Sequence, residues 1–345
     1  MRRAFLIFII IILAIVAFLL NSVWTLLTLL VVDGKQDAIL RAELPEPGEE
    51  SKDERASLIP KILHQTYKNS SIPPVWQEAQ ASCLALHQEK DGWEYKLWTD
   101  ELSRNFIKDE YPWYLETFDG YPYPIQRADA IRYFVLVHYG GVYLDLDDGC
   151  SRSLEPLLAY PAFARRTIPT GISNDIMGAV PGHPFFKFVT EEIQKYDRSW
   201  ILPYITVMGS TGPLFLSVLW RHYMMKGLDV GDGPDGGRIR LIFPDESVGQ
   251  TWSFFTQHIG NSWHAYDVEL IFWLSRNWIL VTILGFFVGF SVLYLVWWVY
   301  RRCLSFNFTE GASKWKGTSR NRLPFWRRLS ARKTYSYELV NRHDV

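Results

Sequence analysis

The sequence has little cysteine: three of its 345 residues are Cys. Three cysteines fit no disulfide framework, which excludes the small cross-linked scaffolds of secreted proteins. Cys83 and Cys150 can either pair in an oxidising lumen or remain as two free thiols, and the sequence leaves both alternatives open. The chain also has no internal repeats and no low-complexity tracts, which excludes repeat architectures.

Net charge is also small, with a formal value of −1 at pH 7. That value hides an asymmetry, because residues 301–345 hold 11 Lys or Arg against 3 Asp or Glu. This basic tail directly follows an apolar run, so we interpret its charge as a topology signal that also suits anionic membrane lipid. We expect no nucleic-acid partner.

Two long apolar runs, 4–32 and 278–300, lie near the two ends of the chain. About 20 apolar residues cross a bilayer as a helix, and a cleaved signal peptide has a shorter apolar core. We therefore interpret the first run as an uncleaved signal anchor and the second as another span. For each run the alternative is a buried core helix.

Arginine pairs on the outer sides of these runs (Arg2 and Arg3, Arg301 and Arg302) place both termini in the cytosol by the positive-inside rule. Residues 33–57 hold 12 charged residues and little apolar content, which predicts a stem or flexible linker. The predicted organisation is a cytosolic stub at 1–3, transmembrane helix 4–32, lumenal stem 33–57, lumenal folded domain 58–276, transmembrane helix 277–300 and cytosolic tail 301–345.

Strand and helix patterns alternate within the folded domain. Strands are predicted at 59–65, 95–98 and 142–146, and helices at 74–86, 99–106 and 124–139. This alternation predicts an α/β layer fold with a mostly parallel sheet. Such sheets bind ligands beyond the carboxyl ends of their strands.

Asp145 and Asp147 lie at the exit of the third predicted strand. Two residues apart on an extended chain, they share one side and form a hard-oxygen site for Mn²⁺ or Mg²⁺ that also holds a diphosphate. Many enzymes that use a nucleotide sugar bind it in this way. A bare Asp-x-Asp pattern arises often by chance, but the preceding Gly140-Gly141 pair and the strand context make it informative.

The helix before these aspartates carries Gln126, Asp129 and Arg132, whose spacing of three places them on one face. An Arg paired with an Asp near a diphosphate site can hold a sugar hydroxyl and the phosphate charge together. The alternative is an ordinary i,i+3 surface ion pair. Because Asp145 follows Asp129 by sixteen residues, we favour the functional interpretation.

Two histidines flank Gly-Asn-Ser-Trp in the segment 258–264. His is a natural further ligand for Mn²⁺ beside two carboxylates, so His258 is the preferred third ligand and His264 the second choice. Ser262 and Trp263 offer a hydroxyl and an indole N–H to phosphate. A structural role is the alternative for either histidine.

Three weaker candidates complete the set. His64, at the exit of the first predicted strand, can face the nucleotide or be structural. Asn174 and Asp175 are predicted in a loop, which is either a turn or a sugar-binding loop, and Asp175 is a candidate helper near the acceptor. The segment 209–213, Gly-Ser-Thr-Gly-Pro, is predicted as a helix N-terminus facing phosphate or acceptor, or as a simple turn.

Together these segments resemble the family-32 glycosyltransferases, which are retaining GT-A enzymes. The resemblance runs through Ile-Pro-Lys-Ile-Leu-His-Gln-Thr at 59–66, Ala-Asp-x-x-Arg-Tyr at 128–133, 139–147 and Asn-Ser-Trp at 261–263. Within that family, Asp-Leu-Asp-Asp-Gly-Cys, Gly-Asn-Ser-Trp-His and a second span are most similar to the fungal branch that mannosylates inositol phosphorylceramide. The implied fold class is an α/β, Rossmann-like GT-A domain flanked by two transmembrane helices.

The resemblance implies GDP-mannose as donor, Mn²⁺ (or Mg²⁺) as cofactor, inositol phosphorylceramide as acceptor, a Golgi location and a membrane-embedded regulatory subunit. In related GT-A enzymes the residues matching Asp129 and Arg132 hold the donor sugar, and those matching Asp145 and Asp147 hold metal and diphosphate. The expected donor-binding residues are His64, Gln65, Asp129, Arg132, Tyr143, Asp145, Asn174, Ser262 and Trp263; the expected metal ligands are Asp145, Asp147 and His258 or His264; the expected catalytic residues are Asp129, Arg132 and Asp175.

Other functions fit the sequence less well. A haloacid-dehalogenase-like phosphatase normally has Thr or Val where this chain has Gly149, and an EF-hand needs Gly and Glu where it has Cys150 and Pro156. A catalytically inactive scaffold would show a broken metal motif, whereas both aspartates are present. A protein-linked glycan acceptor stays open. About 13 residues, or roughly 20 Å as a helix, separate His264 from the second span, which favours a lipid acceptor.

Overall fold

The computed structural model describes residues 2–32, 34–50, 53–167, 170–243, 253–258, 260 and 266–317. They form two units, within residues 1–268 and 269–345. The helices are α1 (Arg2–Leu29), α2 (Pro74–Leu86), α3 (Asp100–Glu110), α4 (Leu115–Gly120), α5 (Pro124–Tyr139), α6 (Pro184–Glu192), α7 (Pro203–Ser210), α8 (Pro213–Met225), α9 (Tyr266–Arg276) and α10 (Trp278–Gly317). The strands are β1 (Ile62–Thr66), β2 (Glu94–Trp98), β3 (Gly141–Leu144), β4 (Asp148–Cys150), β5 (Ala162–Arg166), β6 (Ile172–Ala179), β7 (Arg240–Ile242) and β8 (Phe255–Gln257).

Six of these strands form one sheet in the order β2-β1-β3-β6-β5-β7. Strand β1 is parallel to β2 and β3, and β5 is parallel to β7, while β6 is antiparallel to β3 and β5. The predicted mixture of helix and strand with a parallel-rich sheet is therefore confirmed. The carboxyl ends of β1, β2 and β3 meet at one edge, because these three strands run in the same direction.

Side chains alternate between the two faces of the sheet along each strand. Helices pack on both faces, so the sheet contributes to two hydrophobic cores. One core contains Tyr143 and Met177 from the sheet, with Phe134 of α5 and Trp220 of α8. The other core contains the neighbouring strand residues, such as Val142 and Ile176, with Cys83 of α2. Asp145 and Asp147 follow β3, beyond the residues that form either core.

Helix α5 ends where the sequence predicts, and two glycines make the connection to β3. Gly140 and Gly141 have φ values of 66° and 91°, which non-glycine residues rarely adopt. A Cβ on Gly140 would lie 2.6 Å from Pro181 Cδ, and one on Gly141 would lie 2.6 Å from the Ile62 carbonyl oxygen. This turn therefore sets how closely β3 approaches β1, and hence where Asp145 emerges.

A disulfide joins Cys83 of α2 to Cys150 of β4. It settles the alternative that the sequence left open. Strand β4 pairs antiparallel with β8, in a small separate sheet. The disulfide and this pairing together anchor the chain immediately after Asp147.

The described part of the predicted stem packs on the sheet. Ile39 is buried, and its backbone N–H donates to the Leu241 carbonyl at 2.9 Å. Further along, Glu50 forms an ion pair with the buried Arg152 at 2.8 Å. The prediction of a flexible linker is wrong for these residues, because apolar side chains between the charged ones find a hydrophobic face to cover.

Helix α1 contains the first predicted span, and its final turns contact the folded domain. Thr25 Oγ1 lies 3.0 Å from His222 Nε2 of α8, and Leu29 is buried. Within the described residues, one helical segment is long and apolar enough to cross a membrane, namely Trp278–Arg302 of α10. The corresponding apolar segment of α1, Ile9–Asn21, is shorter. Membrane crossing by α1 therefore stays a prediction.

Candidate active site

Asp145 follows β3 directly and is held from three sides. Its backbone N–H donates to the Asp175 carbonyl at 2.9 Å, which extends the pairing of β3 with β6. The Tyr143 hydroxyl donates to its Oδ1 at 2.7 Å and shares a 2.9 Å hydrogen bond with Thr66 Oγ1. Arg132 Nη1 lies 3.2 Å from the same carboxylate. Tyr143 is thus a buried positioning group for Asp145.

Arg132 of α5 links the two predicted motifs. Its guanidinium lies 3.1 Å from Asp129 and 3.2 Å from Asp145, and it donates to the Asn174 carbonyl at 2.6 Å. The guanidinium also lies 4.6 Å from the Tyr143 ring centre. A buried charge of this kind is stable only when paired and hydrogen-bonded. The alternative of a surface ion pair is wrong, since Asp129 and Arg132 are both buried.

Asp129 is held by groups from distant parts of the chain. Its carboxylate accepts from Asn174 Nδ2 at 3.0 Å and from Thr211 Oγ1 at 3.2 Å. Burial raises its pKa, while Arg132 and these two hydrogen bonds act in the opposite direction. Asn174 therefore orients Asp129 and Arg132. Thr211 lies in the turn between α7 and α8, within the segment predicted as a turn or helix N-terminus.

Four carboxylates converge beyond the end of β3. They belong to Asp145, Asp147, Asp148 and Asp175. Burial raises the pKa of Asp145 to about 7 and also raises the pKa of Asp147, and each of these shifts is increased by a neighbouring aspartate. Burial and the mutual repulsion of the aspartates therefore both oppose full ionisation of this cluster.

Arg165 of β5 is the second cation at this cluster. It ion-pairs with Asp175 and, at 3.1 Å, with Asp148. No local pattern in the sequence pointed to Arg165, because the pairing of β5 with β6 brings it there. The structure also corrects the predicted loop at 174–175, since Asn174 and Asp175 lie inside β6.

The oxygen atoms of this cluster are of the chemical type that binds a divalent cation. The Oδ1 atom of Asp175 is buried and has no hydrogen-bond partner in the part of the chain that the structure describes. Carboxylate oxygens are the ligands that Mn²⁺ and Mg²⁺ prefer. Asp145 and Asp147 are the residues that would hold the metal.

The small β4–β8 sheet places residues 258 and 260 beside Asp147. The His258 N–H donates to the Asp147 carbonyl at 2.8 Å, and a Cβ on Gly260 would lie 1.9 Å from Asp147 Oδ2. The His258 ring lies 3.4 Å from Thr256 Oγ1.

Among the described residues, no three His, Cys, Asp or Glu side chains are arranged to hold a metal. The predicted triad of Asp145, Asp147 and His258 is therefore not assembled in this structure, because His258 approaches Asp147 through its backbone. The predicted Ser262, Trp263 and His264 lie outside the described residues.

His64 and Gln65 are not at the site, which corrects their assignment to the donor. His64 is fully buried, with Nε2 2.9 Å from the Gly140 carbonyl and Nδ1 accepting from Trp98 Nε1 at 3.0 Å. Burial lowers its pKa to about 4. Gln65 is also buried on the opposite face of β1, where it accepts from the Tyr95 hydroxyl at 3.1 Å.

A cavity of about 300 Å³ opens at the edge where β1, β2 and β3 end. Its lining includes the charged residues Arg132, Asp145 and Asp147 and the aromatic residues Tyr67, Trp76 and Trp98. Tyr67 and Trp76 were missed by sequence reasoning, since a single aromatic residue after a strand or in the first turn of a helix carries no signal. The cavity therefore combines charged groups with aromatic ones.

Known proteins are similar to this chain in sequence. Residues 73–164 match the family described as a glycosyltransferase sugar-binding region containing a DXD motif. The chain is 48% identical over 291 residues to the mannosyl phosphorylinositol ceramide synthase SUR1 of Saccharomyces cerevisiae, covering 84% of this chain and 73% of that protein. It is 48% identical over 238 residues to inositol phosphoceramide mannosyltransferase 2 of Schizosaccharomyces pombe, covering 69% and 68%.

Among solved structures, the PaToxG glycosyltransferase is similar with a TM-score of 0.34 and 16% identity, covering 50% of this chain and 72% of that one. That likeness is too low to support any argument. The sequence relatives do support one: the chain belongs to the DXD-containing glycosyltransferases and, within them, to the family of the fungal mannosyl phosphorylinositol ceramide synthases. The predicted family resemblance is thereby confirmed.

Proposed function

We propose that this chain is a metal-dependent, retaining GT-A mannosyltransferase that moves mannose from GDP-mannose to the inositol headgroup of inositol phosphorylceramide. The observation that carries the proposal is the buried Arg132, which joins Asp129 to Asp145 beside the cavity. The relatives' names supply the acceptor and the sugar.

The roles of the residues follow from charge. Mn²⁺, or Mg²⁺, held by Asp145 and Asp147 would supply positive charge for the diphosphate. Arg132 contributes a second, fixed cation where the leaving group gains charge, and a preorganised group of this kind is most effective in a buried site. Asp129 and Asn174 keep Arg132 in place, and in this proposal they serve the donor-sugar end of the site.

No general base is assigned. Asp175, the candidate helper, is ion-paired with Arg165, and this arginine balances part of the charge of the carboxylate cluster. In retaining enzymes without an obvious nucleophile, the leaving phosphate can accept the acceptor's proton, and this arrangement requires no further side chain.

We also propose two membrane spans, with the catalytic domain in the Golgi lumen, both termini in the cytosol and a membrane-embedded regulatory subunit. The Cys83–Cys150 disulfide supports an oxidising compartment. The apolar segment Trp278–Arg302 supports the second span. Protection of the tail from protease in sealed vesicles would contradict this orientation.

The deciding experiment is transfer by the purified full chain with GDP-mannose, Mn²⁺ and a panel of lipid and glycan acceptors. Mannosylated inositol phosphorylceramide should form, and Asp147→Asn should abolish it. The control Asp119→Asn, at an exposed ion pair, should not. Transfer only to a mannose glycan would indicate the protein-glycan alternative, and no transfer with any acceptor or metal would indicate an inactive scaffold. In cells, deletion should cause unmannosylated inositol phosphorylceramide to accumulate.

A further inference from the structure

The cavity that Arg132 lines also has aromatic walls, formed by Tyr67, Trp76 and Trp98. Tyr67 directly follows β1, and its N–H donates to the carbonyl of Trp98, the last residue of β2, at 3.1 Å. The Tyr67 and Trp76 rings are 5.8 Å apart at 80°. Aromatic surfaces of this kind suit a planar heterocycle, which stacks on a ring face or meets its edge.

Asp100 lines the same cavity as these rings. It is the first residue of α3, and its N–H donates to the Lys68 carbonyl at 3.4 Å. Its carboxylate makes no hydrogen bond with any residue that the structure describes, although Lys68 and Arg127 lie close enough to interact with it electrostatically. An exposed carboxylate with no hydrogen-bond partner among the described residues therefore lines the same cavity as Tyr67 and Trp76.

Stabilisation of helix α3 is the alternative role for Asp100. An acidic residue in the first turn stabilises a helix through the backbone dipole. Glu101, the next residue, occupies the same first turn and carries the same charge. It does not line the cavity, so it provides a matched control.

We propose that Tyr67, Trp76 and Asp100 form the subsite for the nucleotide base, and that the Asp100 carboxylate selects guanine. Guanine presents two adjacent donors, N1–H and the 2-amino group, which the two oxygens of one carboxylate can accept together. Adenine presents a ring-nitrogen acceptor on the same edge, and uracil places a carbonyl on each side of its single donor. A carboxylate therefore favours guanine over both. This inference rests on the proposed function, since it supposes a nucleoside diphosphate in the cavity.

The test measures binding of GDP, XDP, ADP and UDP to the purified full chain with Mn²⁺ by calorimetry. Wild type should prefer GDP. Asp100→Asn should weaken GDP binding about tenfold to a hundredfold, which is the usual effect of losing hydrogen bonds to a charged group. The same variant should bind XDP more tightly than wild type does. The Asn amide can accept a hydrogen bond from N1–H and donate one to the carbonyl that xanthine carries at C2. Asp100→Glu keeps the charge but moves the carboxylate oxygens. It should weaken GDP binding without strengthening XDP binding.

Glu101→Gln should leave nucleotide preference unchanged, and melting temperatures should show that the variants fold alike. An Asp100→Asn protein that retains the GDP preference of wild type would overturn the base subsite while leaving the proposed donor in place. Wild-type protein that binds UDP or ADP better than GDP would overturn the proposed donor itself, and the role of Asp100 with it.

Discussion

The guanidinium of Arg132 lies 3.2 Å from the carboxylate of Asp145, although thirteen residues separate them in the chain. The same guanidinium contacts Asp129 on its own helix. One buried side chain therefore connects the α5 motif to the Asp-x-Asp motif, and the two must act as a unit.

Arg132→Lys should reduce kcat for mannosyl transfer about a hundredfold or more, the usual effect of removing a preorganised electrostatic group. Lysine keeps the charge, but it cannot contact Asp129, Asp145 and the Asn174 carbonyl together. Steady-state kinetics measure the effect. Arg104→Lys, at the exposed ion pair with Asp119, is the control and should leave kcat unchanged. Wild-type turnover by Arg132→Lys would contradict the role assigned to the guanidinium.

Gly260→Ala should raise the Mn²⁺ concentration needed for half-maximal activity by about tenfold, at the lower end of effects seen for groups that orient metal ligands. The added Cβ would lie 1.9 Å from Asp147 Oδ2, and the carboxylate can move away at little cost to the fold. A metal titration of activity measures the shift. Gly233→Ala, where a Cβ meets nothing within 4 Å, is the control. Unchanged metal dependence would show that the Asp147 carboxylate is not a ligand.

Arg165→Gln should destabilise the fold by about 3–5 kcal/mol, because breaking a buried ion pair leaves an uncompensated charge. Asp148 and Asp175 both lose their cation in this variant. The double variant Arg165→Gln/Asp148→Asn should recover part of the loss, which a double-mutant cycle on unfolding free energies measures. Additive effects of the two changes would argue against the coupling.

The contribution of His64 to stability should be lost as pH decreases from about 6.5 towards 4. Burial lowers the pKa of His64 to about 4, below its ordinary value of 6.5. Between these values the unfolded chain binds a proton that the folded chain does not, so the contribution is fully present above pH 6.5 and is lost on acidification. Melting temperatures of His64→Gln should depend less steeply on pH than those of wild type. His138→Gln, at a partly exposed position, is the control.

The sequence by itself determined the elements that local rules govern. Helices 74–86 and 124–139 occur at the predicted bounds, because proline at the first turn and the apolar spacing are short-range signals. The Asp-x-Asp pair at a strand exit, the Asp129–Arg132 pair and the family also followed from the sequence alone.

Only the tertiary structure decided which distant groups complete the site. Thr211 reaches Asp129 across 82 positions, and Arg165 reaches Asp148 and Asp175 through sheet pairing, so no short pattern marks them. Tertiary structure also decided the role of His64, whose position near the end of a predicted strand suggested a ligand-binding residue. Packing against Trp98 and Gly140 placed it in the core instead. Local spacing shows which face a side chain shares, whereas long-range packing decides what that face meets.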